Sequence, residues 1–217
     1  MSPAGPTAPA SGQRRIPWKL AGWAALDFEA TGLDFARDTI ISFGVVPIDA
    51  GRIDVGKATY QLVDPGDVPP SHESVTIHGL RPLDLVEAPS LESAKAALAA
   101  ALDRRFLVTW WAGVEAAFLD KLYGGGAKSW MRRAVDVRKL VLELEPQLQG
   151  LTLTDAAERY GVPVASPHHA LDDALVTAQL FLVTATRLAS RGRTTFRALQ
   201  QAGPVPPPVL TRPRAPM

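Results

Sequence analysis

Apolar residues come in short alternating or continuous blocks early in the chain and at helical spacing later. Trp23 to Glu29, Thr39 to Ile48 and Ile53 to Val63 are rich in β-branched and alternating apolar residues and predict three strands. Asp49-Ala50-Gly51 separates the last two and predicts a hairpin. The pattern then changes. Leu91 to Leu102 is Ala/Leu-rich and predicts a helix, and Phe106 to Trp110 predicts a short strand. Val114 to Tyr123 predicts a helix stopped by Gly124-Gly125-Gly126. Val135 to Leu144 and Leu151 to Tyr160 predict two more, the second stopped by Gly161. The longest helix is expected from about His169 to Ala189, with Leu171, Leu175, Ala178, Leu182, Ala185 and Leu188 as its apolar stripe. Antiparallel strands followed by alternating helices and strands predict an α/β fold. Its sheet is mixed, led by three antiparallel strands, with helices packed on it. No glycine fingerprint of a dinucleotide-binding fold is present.

The flanks differ. Residues 1–20 are rich in Pro, Gly, Ala and Ser and predict a disordered tail, leaving 21–190 as the domain. Residues 191–217 form a C-terminal extension, Pro-rich and expected to be disordered from about 203. Its prolines suit either a solvated tail or a polyproline segment docked on a partner. A chain of 217 residues, 47% hydrophobic and 21% charged, is ordinary for one soluble domain. With no cysteine, disulfides, zinc–cysteine sites and thiol nucleophiles are excluded. No apolar run has the length of a membrane helix, and no secretory signal opens the chain, so a cytoplasmic protein without a membrane partner is expected. The net charge of +1 argues against a protein that coats long DNA by charge alone.

One feature of the first strand breaks the pattern. Asp27 and Glu29 stand one residue apart inside the apolar run Trp23 to Leu33, on one face of the strand, while Leu26 and Phe28 take the other. Two adjacent carboxylates raise each other's pKa unless a cation lies between them. Hard oxygen ligands suit Mg²⁺ or Mn²⁺. Glu115, Asp172 and Asp173 stand in the first turns of predicted helices, where the helix dipole alone would explain any one of them. Together with Asp27 and Glu29 they could converge on one sheet edge.

At this point the chain resembles the DEDDh family of 3′-to-5′ exonucleases, whose proofreading members include the epsilon subunit of the bacterial replicative polymerase. Asp27-Phe28-Glu29-Ala30-Thr31-Gly32-Leu33 matches the family's first motif, and His168-His169-Ala170-Leu171-Asp172-Asp173-Ala174 its third, with His168 and Asp173 as the functional pair. Thr76-Ile77-His78-Gly79-Leu80 and Leu151 to Ala157 resemble flanking segments, so the resemblance covers about residues 22 to 190. The second motif departs: Trp110-Trp111 replaces His-Asn, and Glu115 stands where Asp is usual, in a frame fixed by Phe118 and Leu119.

The resemblance implies an RNase H-like fold and a two-metal phosphodiester hydrolase acting at a single-stranded 3′ end of DNA or RNA. Asp27, Glu29, Glu115 and Asp173 would hold two Mg²⁺ or Mn²⁺ ions, with His168 as general base. It also implies substrate contacts from Ala30, Thr31, Gly32, Leu33, His78 and Phe118. Among relatives some ride on a DNA polymerase and some form homodimers. Trp110 and Trp111 fit either base stacking or the core and sheet edge. Lys128, Trp130, Arg132, Arg133, Arg138 and Lys139 fit either a phosphate track or a solvated helix face, and Arg14, Arg15 and Lys19 lie beside the predicted tail. A binding or polymerase-associated module with weak catalysis is the competing reading. A structural domain with solvated acids fits poorly, because Asp27 and Glu29 have no basic neighbours in sequence.

Overall fold

The computed structural model describes residues 4–203. Six strands form one mixed sheet: β1 (Trp23–Ala30), β2 (Ile40–Asp49), β3 (Arg52–Ile53), β4 (Thr59–Leu62), β5 (Phe106–Thr109) and β6 (Ala134–Asp136). Their order is β3-β2-β1-β5-β6, with β4 also paired to β2. The pairs β1–β2, β2–β3 and β2–β4 are antiparallel, while β1–β5 and β5–β6 are parallel. Ala50 and Gly51 both take positive φ in the tight turn between β2 and β3, as the hairpin reading requires.

The predicted strand Ile53 to Val63 is instead two strands around a 3-10 turn at Val55–Lys57. The cause lies in β2. The carbonyl of Pro47 accepts from the Asp54 N–H, so its missing N–H faces the same side, and the ladder there cannot continue.

Among the described residues eight α-helices surround the sheet: α1 (His72–His78), α2 (Leu91–Leu102), α3 (Ala112–Tyr123), α4 (Ala127–Met131), α5 (Val137–Leu144), α6 (Leu153–Tyr160), α7 (Ala170–Ala189) and α8 (Phe196–Gln200). Strand alternation sorts the core into two layers. Trp23, Ala25, Val46, Ile48 and Phe106 face α5 to α8, while Ala24, Leu26, Phe43 and Leu107 face α2, α3 and α4. The buried face of α7 is wider than the expected stripe. Phe181, Thr177 and Thr184 are fully buried, whereas Leu171, Leu175 and Leu182 are only partly so, because α7 packs on the sheet and against α5 and α6 at once.

Both flanks, as far as they are described, pack against the domain. Residues 4–20 are laid against the domain: Trp18 is buried, meets Phe181 edge-on at 5.6 Å, and its carbonyl accepts from the Trp23 indole. The Thr7 carbonyl accepts from the Arg104 N–H, and the Pro6 carbonyl from Arg133. Composition hid this because one buried tryptophan anchors an otherwise polar, Pro-rich stretch. At the other end α8 is part of the core, with Phe196 stacked on Phe106 at 4.0 Å. The proline run that follows lies outside the described residues. Among the described residues, no helix is long and apolar enough to cross a membrane.

Candidate active site

The α7-facing side of β1 changes character along its length. Trp23 and Ala25 are wholly buried; Asp27 and Glu29 follow on the same face at the end where α7 begins. Gly44 of β2 pairs with Asp27, and a Cβ there would collide with the backbone of Ala170 and Leu171. Only glycine lets the start of α7 come down onto the sheet beside Asp27. That approach brings Asp173, in the first turn of α7, to the strand carboxylates. Ligand oxygens of Asp27, Glu29 and Asp173 all lie within 4.8 Å of one another.

Glu115 arrives from the first turn of α3 and is buried, but it stands outside this trio. Its Oε2 is buried without a hydrogen-bond partner. No Lys or Arg forms an ion pair with Asp27, Glu29, Glu115 or Asp173 among the described residues. Burial and then Asp173 push Glu29 up to about 8, burial above all and then Asp136 push Glu115 up to about 8, and Asp27 and Asp173 are raised as well. A carboxylate set that is unpaired, partly orphaned and hard in character fits divalent cations.

These groups line an open groove of about 580 Å³ together with Leu33, Trp111, Arg138 and His168. His168 is exposed and takes φ 61°, which a non-glycine residue adopts only when held. The hold is visible: its backbone N–H donates to Asp173 Oδ2 at 3.0 Å. One carboxylate thus joins the acidic cluster and orients the histidine. His169 and Asp172 turn elsewhere, with His169 stacked on Tyr60 at 4.4 Å.

The expected substrate contacts divide. Leu33 lines the groove and is 66% exposed. Ala30, Thr31 and Gly32 do not line it. Thr31 is fully buried, its N–H donates to the Thr39 carbonyl and its hydroxyl to Asp38, so its own donors are used inside the turn that holds Leu33 out. Phe118 is buried and meets Phe28 and Phe35 edge-on. His78 closes α1 half-buried, its Nδ1 accepting from the Leu80 N–H, and burial lowers its pKa. Of the tryptophans, Trp110 packs partly against the core, while Trp111 is 52% exposed in the groove with the Arg138 guanidinium 4.8 Å over its ring.

Asp136 was hidden in the sequence, because Val135 to Leu144 reads as one helix. It ends β6, accepts from the Lys139 N–H at the start of α5 and from the Ala112 N–H at the start of α3, and so fixes the turn that carries Glu115. An Asp three residues before a helical N–H was the available signal. The basic run also disperses. Arg133 is buried and donates to the backbone carbonyls of Pro6, Thr7, Leu102 and Arg105, while Arg138 faces the groove.

Residues 24–181 match the family model of the RNase T exonucleases. The chain belongs to this exonuclease family. The exonuclease chain is 32% identical over 166 residues to the DNA polymerase III PolC-type protein of Thermotoga maritima, covering 75% of itself and 12% of that relative. It is 27% identical over 164 residues to the DNA polymerase III subunit epsilon of Aquifex aeolicus, covering 74% and 78% of the two. It spans about an eighth of the PolC-type relatives. Among solved structures, E. coli Exonuclease I in complex with a dA16 oligonucleotide superposes with a TM-score of 0.66 at 16% identity, over 78% of this chain and 42% of that one. That likeness establishes a shared RNase H-like fold.

A ligand that binds only the folded state stabilises it by ~2.7 kcal/mol at a hundredfold excess over its Kd. For a domain of this size, that corresponds to a rise of ~5–10 °C in Tm. Addition of Mn²⁺ at pH 8 is expected to raise Tm by this amount, read by differential scanning fluorimetry. Ca²⁺-free buffer with chelator should show no rise.

Proposed function

We propose that this chain is a metal-dependent 3′-to-5′ exonuclease that releases nucleoside 5′-monophosphates from single-stranded DNA or RNA ends. The observation that carries the reading is the convergence of Asp27, Glu29 and Asp173 within 4.8 Å, beside the orphaned Glu115 oxygen, in a groove wide enough for a nucleotide. Asp27, Glu29, Glu115 and Asp173 would hold two Mg²⁺ or Mn²⁺ ions, Glu115 with its extra methylene reaching in from α3. Bound divalent ions would acidify a water and neutralise charge building on the phosphate.

The chain's own residues do the rest. His168, exposed at the mouth and steadied through its N–H by Asp173, takes the proton of the attacking water on an imidazole nitrogen as general base. Leu33 presses on the terminal base. Trp111, stiffened by Arg138, offers a face to the next base. Base–aromatic stacking is worth ~1–3 kcal/mol. Trp111→Ala is therefore expected to raise KM for an oligonucleotide by ~10-fold or more with little change in kcat, in steady-state assays.

The deciding experiment is digestion of a 5′-labelled single-stranded DNA oligonucleotide with Mn²⁺. A ladder shortening from the 3′ end, with 5′-monophosphates as product, supports the exonuclease. Oligonucleotide binding without a ladder favours a module with weak catalysis, for which Glu115 standing outside the trio is the motivating observation.

A further inference from the structure

Segments far apart in sequence deliver arginines to one open depression of about 460 Å³. Arg14 and Arg15 come from the 3-10 helix Ser11–Arg15, Arg132 follows α4, and Arg197 comes from α8. Gln200 and Gln201 complete its wall. No carboxylate lines it, and among the described residues none of the four arginines is in an ion pair. The arrangement is built on the core. Arg14 donates to the Arg132 carbonyl at 2.8 Å and lies 5.6 Å over the ring of buried Phe196, and Gln200 donates to the Met131 carbonyl at 3.1 Å. Four cations gathered without counter-charges repel one another and create a positive field that an anion relieves.

The location matters. Phe196 stacks on Phe106, the first residue of β5, which pairs with Trp23, the first residue of β1. The carboxylates stand at the other end of β1. The arginines therefore lie at the opposite end of the parallel strands from the groove.

We propose that this depression is a second nucleic-acid site, one that holds the phosphate backbone of the same strand whose 3′ end enters the carboxylate groove. The assignment rests on the exonuclease reading. Guanidinium forks match phosphate oxygens, amide side chains add neutral donors, and no aromatic side chain lines the depression. The contacts are thus sequence-independent. A domain of this size is ~40 Å across. Stacked nucleotides advance ~3.4 Å each along a strand. Only substrates of roughly ten nucleotides or more reach both sites.

The test uses the double variant Arg132→Ala/Arg197→Ala, two exposed positions outside the groove. On a 20-nucleotide single strand KM should rise ~10-fold with kcat unchanged, while a trinucleotide is cleaved as by the parent. In an Asp27→Asn background, anisotropy titrations of the 20-mer should show the salt slope of log K falling by ~1.4, about 0.7 per lost charge. Arg132→Lys/Arg197→Lys should restore most of the slope. Equal losses on both substrate lengths, or an unchanged slope, would overturn the proposal. So would lost binding of a poly-glutamate peptide with DNA binding intact, which would make the depression a site for an acidic protein segment. If the parent cleaves neither substrate, the exonuclease reading fails by itself, and the salt slope alone then decides the arginine site.

Discussion

Asp27→Asn is expected to lower hydrolysis of single-stranded oligonucleotides by ~10³-fold or more while making the metal-free protein more stable at alkaline pH. The first effect follows from position. Asp27 is the member of the acidic cluster that feels all the others: Glu29, Glu115 and Asp173 each raise its pKa. On the proposed reading, losing it removes a ligand from the centre of the set, and metal-held charge stabilisation is worth several kcal/mol, each 1.36 kcal/mol being tenfold in rate.

The second effect follows from linkage. In the metal-free fold Glu29 and Glu115 sit near 8, against about 4.5 when unfolded. Between those values the folded state retains protons that the unfolded chain has released. Stability is then full below about 4.5 and declines as pH rises through 8. Asp27→Asn removes the carboxyl that burial and all three neighbouring acids raise, so its own share of the decline disappears and the gain in Tm is larger at pH 8 than at pH 5. Melting curves across this range, with and without Mn²⁺, check both halves. The wild type should be rescued by Mn²⁺ at pH 8 and the variant should not. Equal Tm for both proteins at pH 8 without metal would mean that the carboxylates do not repel one another in the fold.

What could be read from the chain follows from which interactions are local. Leu91–Leu102 was readable to the residue because Ser90 caps it and its apolar spacing is regular. Asp27 and Glu29 were readable because charge inside an apolar strand is costly and period two puts both on one face. The split of the third strand was not, because it depends on which side of β2 the missing N–H of Pro47 faces. Asp136 escaped for a similar reason: it caps two helices, and only one is adjacent in sequence. Thr31 and Phe118 lie in motif positions, yet the structure turns both inward, Thr31 to Asp38 and Phe118 under Phe28. Motif spacing identifies a place along the chain, and packing decides which side of it meets solvent.

The start of α7 is such a packing decision, and Gly44→Ala tests it. A methyl group at Gly44 would occupy the space now filled by the Ala170 carbonyl and the Leu171 N–H. These are backbone atoms and no rotamer change can clear them, so either β2 or the first turn of α7 must retreat. That turn carries Asp173, and through its carboxylate the N–H of His168. Overpacking of this kind costs ~1–3 kcal/mol. At the site the penalty falls on rate as well, since misplacement by about an ångström costs ~10²-fold. Gly44→Ala is therefore expected to lose about 10²-fold in kcat with a Tm lowered by only several degrees. The Mn²⁺-induced rise in Tm should shrink in step with kcat, because Asp173 moves away from Asp27 and Glu29. Ala94→Gly, a core change in α2 on the other side of the sheet, serves as the comparison: a similar fall in Tm with the Mn²⁺ response intact. Loss of the Mn²⁺ response in both variants would trace it to general loosening. Loss in Gly44→Ala alone would show that one missing Cβ sets the reach of α7 and with it the distance between the carboxylates.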